Sequence, residues 1–254
     1  MRLPLTGERT LPGIWHENYW FRRHEAAYLA VAEYLTVADT GEPAVVPGSV
    51  LLEAGCGEGY GAALLRQRTG ARVAAFDYDA ASLDHVAATY PDVQPVRANL
   101  VALPVGDAVA DAVVSMQVVE HLWDQEAFVT ECARVLRPGG TLVMSTPNRV
   151  TFSPAGAPRN PFHARELDAG ELRALVSPSL DVVRVDGLDH GRRLDAAERD
   201  LGDLVRAQAA SPPDTWPAAL HGLVASVTVE DFVLASDDLD ASRDLVLVAV
   251  RPAP

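Results

Sequence analysis

The 254-residue chain contains only two cysteines, Cys56 and Cys132. Two thiols do not make a disulfide framework, and a reducing cytoplasm is the expected setting. Nor does the chain carry an apolar run long enough to cross a bilayer. Residues 1–8 lack the apolar stretch of a secretory leader, so neither export nor membrane insertion is expected. Positive charge is scarce as well. Lysine and arginine together number 21 against 35 acids, a net charge of −14, and the only adjacent basic pairs are Arg22-Arg23 and Arg192-Arg193. This balance disfavours a partner bound through its phosphates, nucleic acid above all. The acidic surface reads more simply as a solubility feature. Repeats and low-complexity tracts are absent. What is present is an ordinary globular composition, 48% apolar and 22% charged, long enough for one α/β domain with a substantial core.

Hydrophobic periodicity alternates between strand and helix. Strands are expected at Val50–Glu53, Arg72–Asp77, Val93–Arg97, Ala112–Met116 and Thr141–Ser145, and helices at Gly61–Arg68, Ser82–Tyr90 and Asp124–Leu136. The last helix carries Phe128, Cys132, Val135 and Leu136 at helical spacing and stops at Pro138-Gly139-Gly140. This alternation implies a parallel sheet with helices on both faces. Ahead of it lies a helix, Glu17–Leu35, crowded with Tyr19, Trp20, Phe21, Tyr28 and Tyr34; Glu42-Pro43 and Pro47-Gly48 punctuate the way into the core. After Pro147 the pattern loosens. A loop is expected over 149–163, a helix at Asp168–Val176 and a strand at Leu180–Val185. An insertion follows over about 190–240, helical near Ala196–Ala209 and broken at Pro212-Pro213, and then a final strand at Leu245–Val250. Long irregular segments at the mouth of such a sheet often act as lids.

Between the first strand and its helix stands Glu53-Ala54-Gly55-Cys56-Gly57-Glu58-Gly59-Tyr60-Gly61. Four glycines at every second position make a loop whose backbone can approach a ligand closely, because glycine has no Cβ to block it. The segment Gly57–Ala62 also fits the G-x-G-x-x-A variant of the dinucleotide fingerprint, with Asp77 at the spacing of a ribose partner. The loop alone therefore leaves two cofactors open, NAD and S-adenosylmethionine. Glu53 suits the ammonium of a methionine moiety better than a phosphate. A carboxylate at Asp77 can accept from both ribose hydroxyls, or cap a helix. Asn99 could bond an adenine and Leu100 pack on its face, or both could belong to a plain turn.

The pattern Glu53-x-Gly55-x-Gly57-x-Gly59 resembles the first motif of class I S-adenosylmethionine-dependent methyltransferases. Met116-Gln117-Val118-Val119-Glu120-His121-Leu122, Leu136-Arg137-Pro138-Gly139-Gly140-Thr141-Leu142 and Ser145-Thr146-Pro147-Asn148 resemble the blocks that follow it. The resemblance covers about residues 49–148 and resolves the choice against NAD. It implies a Rossmann-like, doubly wound α/β sheet of seven strands in the order 3-2-1-4-5-7-6, the last strand antiparallel, with helical lid insertions. Residues 1–48 would form a helical lid and 49–254 the cofactor-binding domain. The cofactor residues it implies are Glu53, Gly55, Cys56, Gly57, Gly59, Asp77, Tyr78, Asn99, Leu100 and Gln117. To these it adds Tyr19 and Arg22, from the aromatic-plus-arginine helix that covers the cofactor in some of these enzymes. Packing of those aromatics on the core is an equal alternative.

If the chain turns helically after the fourth strand, Gln117, Glu120 and His121 share one face. One subgroup of the family carries Glu-x-x-Glu-His there, and some members add a later histidine. It includes the ubiquinone-biosynthesis O-methyltransferases and the enzymes that 2′-O-methylate small-RNA ends, in which these residues hold a divalent metal. Here Glu120, His121 and His163 match, while Gln117 replaces the first acid and should weaken the site. The resemblance thus implies Mg²⁺ or Mn²⁺ on Gln117, Glu120, His121 and His163. Two alternatives stand beside it: His121 or His163 as a metal-free general base, and helix-capping or loop roles without chemistry. His190, beside Asp189 after the sixth strand, is a weaker pocket candidate, with a solvated turn as the reading set against it.

The segments Glu8-Arg9-Thr10-x-Pro12-Gly13, Tyr19-Trp20-Phe21-Arg22 and Asn160-Pro161-Phe162-His163 also resemble a group of actinobacterial methyltransferases linked to methylated sugars and polysaccharides. The expected acceptor is a hydroxyl of a sugar or oligosaccharide, with Trp15, Trp20 and Trp216 as candidate stacking platforms. The alternatives are a catechol-like small molecule, a nucleic-acid ribose, and a non-catalytic cofactor-binding subunit. The oligomeric state stays open, a homodimer being the candidate.

Overall fold

The computed structural model describes Leu3 and residues 9–37, 43–154, 156 and 160–253. Glu8 and Glu42, like most of the opening stretch 1–8, lie outside the described residues. The strands are β1 (Val50–Ala54), β2 (Arg72–Asp77), β3 (Val93–Arg97), β4 (Ala110–Met116), β5 (Leu136–Pro147), β6 (Asp181–His190), β7 (Phe232–Ala235) and β8 (Asp244–Val250). The helices are α1 (Asn18–Thr36), α2 (Tyr60–Thr69), α3 (Ala80–Thr89), α4 (Gln125–Val135), α5 (Arg149–Phe152), α6 (Ala169–Val176), α7 (Arg192–Leu201), α8 (Leu204–Ala209) and α9 (Ala218–Ser226).

All eight strands form one sheet in the order β3-β2-β1-β4-β5-β8-β6-β7. The expected seven-strand order is kept with one correction. An additional edge strand, β7, pairs antiparallel with β6, so the chain's last strand is its eighth, lying antiparallel between β5 and β6. Four residues are too few for periodicity to reveal. β6 also runs past its expected end at Val185. Asp186-Gly187 reads as a turn in sequence, yet both residues pair with β8, and Asp186 is buried beneath the Tyr34 hydroxyl (2.6 Å). The single helix expected near 196–209 is two, α7 and α8, separated at Gly202, whose φ of 76° is left-handed.

Period-two alternation sends successive strand residues to opposite faces. Leu51, Val73, Val114 and Val248 join α1, α2, α3 and α9 in one core. Leu52, Phe76, Val113, Leu142 and Leu247 join α4 and α6 in the other. β4, buried along its whole length, lies between them. Aspartates start the helices on this frame: Asp79 caps α3, Asp124 caps α4, and Asp168 forms a capping box with Glu171 on α6. Helix α1 is tied to the sheet by polar contacts as well as aromatic packing. Arg23 forks onto Asp244 (2.6 and 2.5 Å), and Tyr28 donates to Glu53 (2.6 Å). Among the described residues, no helix is long and apolar enough to cross a membrane.

Candidate functional site

The strand order reverses between β1 and β4, and open α/β sheets hold ligands outside the carboxyl ends of strands at such a point. A cavity of about 820 Å³ occupies this place, lined by residues that follow β1 to β4, by α1 and by the segment ahead of it.

The β1–α2 loop forms its floor. The amides of Gly55 and Cys56 both donate to the Phe76 carbonyl (2.8 and 3.0 Å), which ties the loop to β2. Gly55, Gly57 and Gly59 all have positive φ. A Cβ on Gly55 would strike Val118, and one on Gly59 would strike Val86, whereas one on Gly57 would meet nothing within 4 Å. Gly57 therefore presents bare backbone to the cavity. Its amide donates to Asp77 Oδ2 (2.8 Å), and the Asp79 amide donates to Oδ1 (2.9 Å). The Asp77 carboxylate is thus fixed at the cavity wall with acceptor capacity left on each oxygen. Glu58 is locked by His85 (2.7 Å), Tyr90 and the Tyr60 amide.

Glu53 lies under this loop, fully buried. Its Oε1 accepts from Tyr28, and its Oε2 has no hydrogen-bond partner. Burial pushes its carboxyl up to about 8; the Tyr28 hydrogen bond opposes the shift and the Asp77 charge adds to it. A buried carboxylate without a counter-charge is costly, so this corner fits a cationic group. Tyr28 lines the cavity and Glu53 does not; the expected direct anchor stands one residue behind the wall. Gly59 likewise stays out of the cavity and serves as the left-handed cap of α2.

Cys56, Tyr78, Asn99, Leu100 and Gln117 line the cavity, together with Tyr60 and, from the N-terminal side, Arg9, Thr10 and His24. Tyr19 and Arg22 do not. Tyr19 is buried, its hydroxyl 2.7 Å from His190 Nε2, because its helix face points to β6 and β7. Arg22 pairs with Glu25 instead (2.6 Å). The N-terminal arginine at the cavity is Arg9, bound to Asp79 (2.9 Å). Trp15 packs against Trp216 and His221, Trp20 against Tyr19 and Arg23, and none of Trp15, Trp20 and Trp216 lines the cavity. The aromatics at its mouth are Tyr78, Phe162 and Trp123, the last 93% exposed. No periodic signal marks Trp123; only its place between Leu122 and the α4 cap could have drawn notice. His24 and Tyr28, one helical turn apart on α1, are the missed residues that spacing could have paired.

After β4 the chain does not turn helically at once. Gln117 sits in the left-handed region (φ 57°), with its amide on the Ser145 carbonyl (3.0 Å) and its side-chain amide donating to Ser145 Oγ (3.3 Å). A left-handed non-glycine residue costs on the order of 1–3 kcal/mol and is held by its surroundings. Only Val119–His121 form a 3₁₀ turn. Gln117 therefore does not share a helical face with Glu120 and His121, a correction to the expected spacing. Glu120, His121 and His163 do converge, with ligand atoms all within 4.8 Å of one another. Glu120 Oε1 lies 3.9 Å from His121 Nε2, and the two imidazoles meet edge to face at 4.9 Å. His121 Nδ1 contacts the Phe162 carbonyl (3.1 Å), and His163 Nδ1 contacts Glu166 (2.8 Å). Thr146 donates to Glu120 Oε2 (3.0 Å). Burial pushes the Glu120 carboxyl up to about 8, against the pull of its own backbone amide, His163 and Thr146. His121 lines the cavity, with Glu120 and His163 behind it.

The family model for a methyltransferase domain matches residues 52–144, from β1 to β5. A probable S-adenosylmethionine-dependent methyltransferase of Mycolicibacterium smegmatis is 48% identical over 98% of this chain and 96% of its own length. The chain belongs to the S-adenosylmethionine-dependent methyltransferases. This methyltransferase is also 37% identical to a ubiquinone biosynthesis O-methyltransferase of Xanthomonas campestris, over 41% of this chain and 45% of that protein. In fold it resembles the geranyl diphosphate C-methyltransferase of Streptomyces coelicolor, with a TM-score of 0.62 at 16% identity, covering 97% of this chain and 89% of that one. Its cofactor is S-adenosylmethionine; at the strand-order switch the cavity is lined by Gly57 and Asp77, with Glu53 buried behind Tyr28.

Proposed function

We propose that this methyltransferase transfers its methyl group to a hydroxyl of a sugar or oligosaccharide, aided by a divalent cation, Mg²⁺ or Mn²⁺. One observation carries the reading: a buried carboxylate and two imidazoles, Glu120, His121 and His163, converge just behind the point where His121 reaches the cavity. Asp77 accepts from the ribose hydroxyls, Asn99 and Leu100 meet the adenine, and Gly55, Cys56 and Gly57 follow the methionine chain. Tyr78 covers the nucleoside from outside. Tyr28, its proton committed to Glu53, offers an oxygen to the methionine ammonium, and Glu53 supplies the charge behind it. S-adenosylmethionine brings an electrophilic methyl on sulfur, so the protein has to present an acceptor oxygen in line and remove its proton.

A hydroxyl is hard to deprotonate near neutral pH, and a cation held by Glu120, His121 and His163 would favour its ionised form. Two imidazoles shift the preference from Mg²⁺ toward Mn²⁺. Gln117, without charge and held by Ser145, is at most a water-mediated partner. Similarity to a ubiquinone biosynthesis O-methyltransferase supports oxygen as the accepting atom, and the net charge of −14 argues against a polyanion. The apolar mouth of Leu122, Trp123 and Phe162 favours a ring with a flat face, which keeps a catechol-like phenol as the second reading. The free thiols at Cys56 and Cys132 suit a cytoplasmic enzyme.

The test is release of S-adenosylhomocysteine by purified protein given mono- and oligosaccharides, catechols or short RNAs, with and without EDTA. Carbohydrate turnover suppressed by EDTA and restored by Mn²⁺ is the expected result. Full activity after exhaustive chelation would leave His121 as a metal-free base, and turnover only on catechols or RNA would overturn the sugar acceptor.

A further inference from the structure

A second group of ligating side chains lies away from the methyl-transfer cavity, where β6 ends and α7 begins. His190 is the last residue of β6, and Gly191 leads directly into α7. Asp195 and Glu198 stand three residues apart on that helix, on one face. The ligand atoms of His190, Asp195 and Glu198 all lie within 4.8 Å of one another.

The imidazole is the informative member. Its side chain is fully buried, Nε2 lies 2.7 Å from the Tyr19 hydroxyl, and Nδ1 has no hydrogen-bond partner. Nδ1 points toward Glu198, whose Oε2 is 3.4 Å away. A buried polar nitrogen left without a bond is costly. In metal-binding histidines the remote nitrogen is held by an oxygen partner that orients the ring, and Tyr19 stands in that position here, 2.7 Å from Nε2.

The charges around the ring are mixed. Around His190 stand the carboxylates of Asp189, Asp195 and Glu198 and the guanidiniums of Arg23 and Arg243. Arg23 is spent on Asp244. Arg243 is shared between Glu198 Oε2 (2.6 Å) and Asp189 (3.3 Å). Asp231, also near the ring, is neutralised by Arg193. Arg23 and Arg243 are thus each engaged by a carboxylate, which limits their repulsion of an ion held by His190, Asp195 and Glu198. Asp195 is exposed and Glu198 partly so, which gives an ion a path in from solvent.

We infer that His190, Asp195 and Glu198 bind a divalent transition metal of the Zn²⁺ class, pinning α7 to the end of β6. Zn²⁺ accepts both imidazole nitrogen and carboxylate oxygen, and with three protein donors a fourth position remains for water. Because Arg243 already holds Glu198 Oε2, the ion shares that oxygen and its affinity is moderate. Through Tyr19 the ion would also brace α1, so the element that carries His24 and Tyr28 into the cavity becomes firmer when metal is bound.

The test uses the full-length chain with His121→Ala and His163→Ala, which removes the other cluster from the count. After dialysis against chelator, Zn²⁺ is titrated by calorimetry, and Co²⁺ is added separately to read its ligand-field absorption. We expect one ion per chain and a rise in melting temperature with metal. Adding Asp195→Asn and Glu198→Gln, which preserve size on an accessible helix, should weaken binding by more than about tenfold, with unchanged far-ultraviolet dichroism. No binding in the first protein, or unaltered binding in the second, would overturn the site. Neither result bears on whether Glu120, His121 and His163 serve methyl transfer.

Discussion

The two halves of the sheet are built by different means. On the side of β1, β2 and β3, short loops place one or two residues each at the cavity, and local bonds hold them. The Gly57 amide on Asp77, the Asp79 cap on α3 and the Asn99 side chain on the Val101 amide all close within a few residues or between adjacent strands. On the side of β6, β7 and β8, polar pairs span most of the chain: Arg23 with Asp244, Tyr19 with His190, Tyr34 with Asp186. The first half is organised around the cavity. The second is organised around α1, which it holds over the cavity. The comparison teaches that α1 is fixed by buried charge and hydrogen bonds rather than by its apolar face alone.

The hardest blow to that contrast is Arg23→Ala. It leaves Asp244 buried and unpaired, and removing one partner of a buried pair costs about 3–5 kcal/mol. Chemical denaturation should show a loss of that order, with the double variant Arg23→Met, Asp244→Leu recovering much of it. A loss under 1 kcal/mol for Arg23→Ala would mean that aromatic packing alone secures the helix.

On the other half, Asp77→Ala should weaken S-adenosylmethionine binding by on the order of 1–3 kcal/mol, because two ribose hydroxyls lose their acceptor. Calorimetry measures it, and unchanged affinity would remove Asp77 from the cofactor site.

Glu53 joins the two halves, since it stands at the end of β1 beneath the glycine loop yet bonds α1. Its folded-state carboxyl titrates near 8, above the 4.5 of an ordinary glutamate. The folded protein therefore holds the proton through the window from about 4.5 to 8 while the unfolded chain releases it. Stability from this group is fully present below the lower value and declines as pH rises through the window. Glu53→Gln should flatten that decline, read from melting temperatures across pH. The methionine ammonium favours the charged carboxylate, so cofactor binding near pH 6.5 should release up to about one proton. Calorimetry in buffers of differing ionisation enthalpy would detect it, and equal release by Glu53→Gln would assign the proton elsewhere.

The smallest structural effect is expected at the mouth. Trp123→Ala should alter stability by no more than about 0.5 kcal/mol, as at other exposed positions, and leave cofactor affinity alone. It should raise KM for the acceptor with little change in kcat, since a stacking platform acts on ground and transition states alike. An unchanged KM would leave Trp123 without a part in acceptor binding.

Much of the cofactor half was legible from the sequence alone. The glycine spacing, the acid ending β2 and the β/α alternation are short-range patterns, and the physics behind them is local. A backbone without Cβ, a strand of period two and a capped helix each need only neighbouring residues. The same holds for the convergence of Glu120 and His121, adjacent in the chain, although the left-handed turn at Gln117 was not visible because Ser145 on the next strand imposes it. What only the tertiary structure decided are the pairings of distant residues. Tyr19 and Trp20 could face the cofactor or the core, and composition treats both alike; the positions of His190 and Phe232 turned Tyr19 inward. Arg9 and Trp123 reached the cavity, and Arg22 did not, because each position depends on where elements far along the chain come to rest. Asp186 and Gly187 became strand because β8 offered them a ladder. A buried charge or hydrogen bond between remote residues leaves no periodic trace in either segment, so it appears only when the sheet brings the two together.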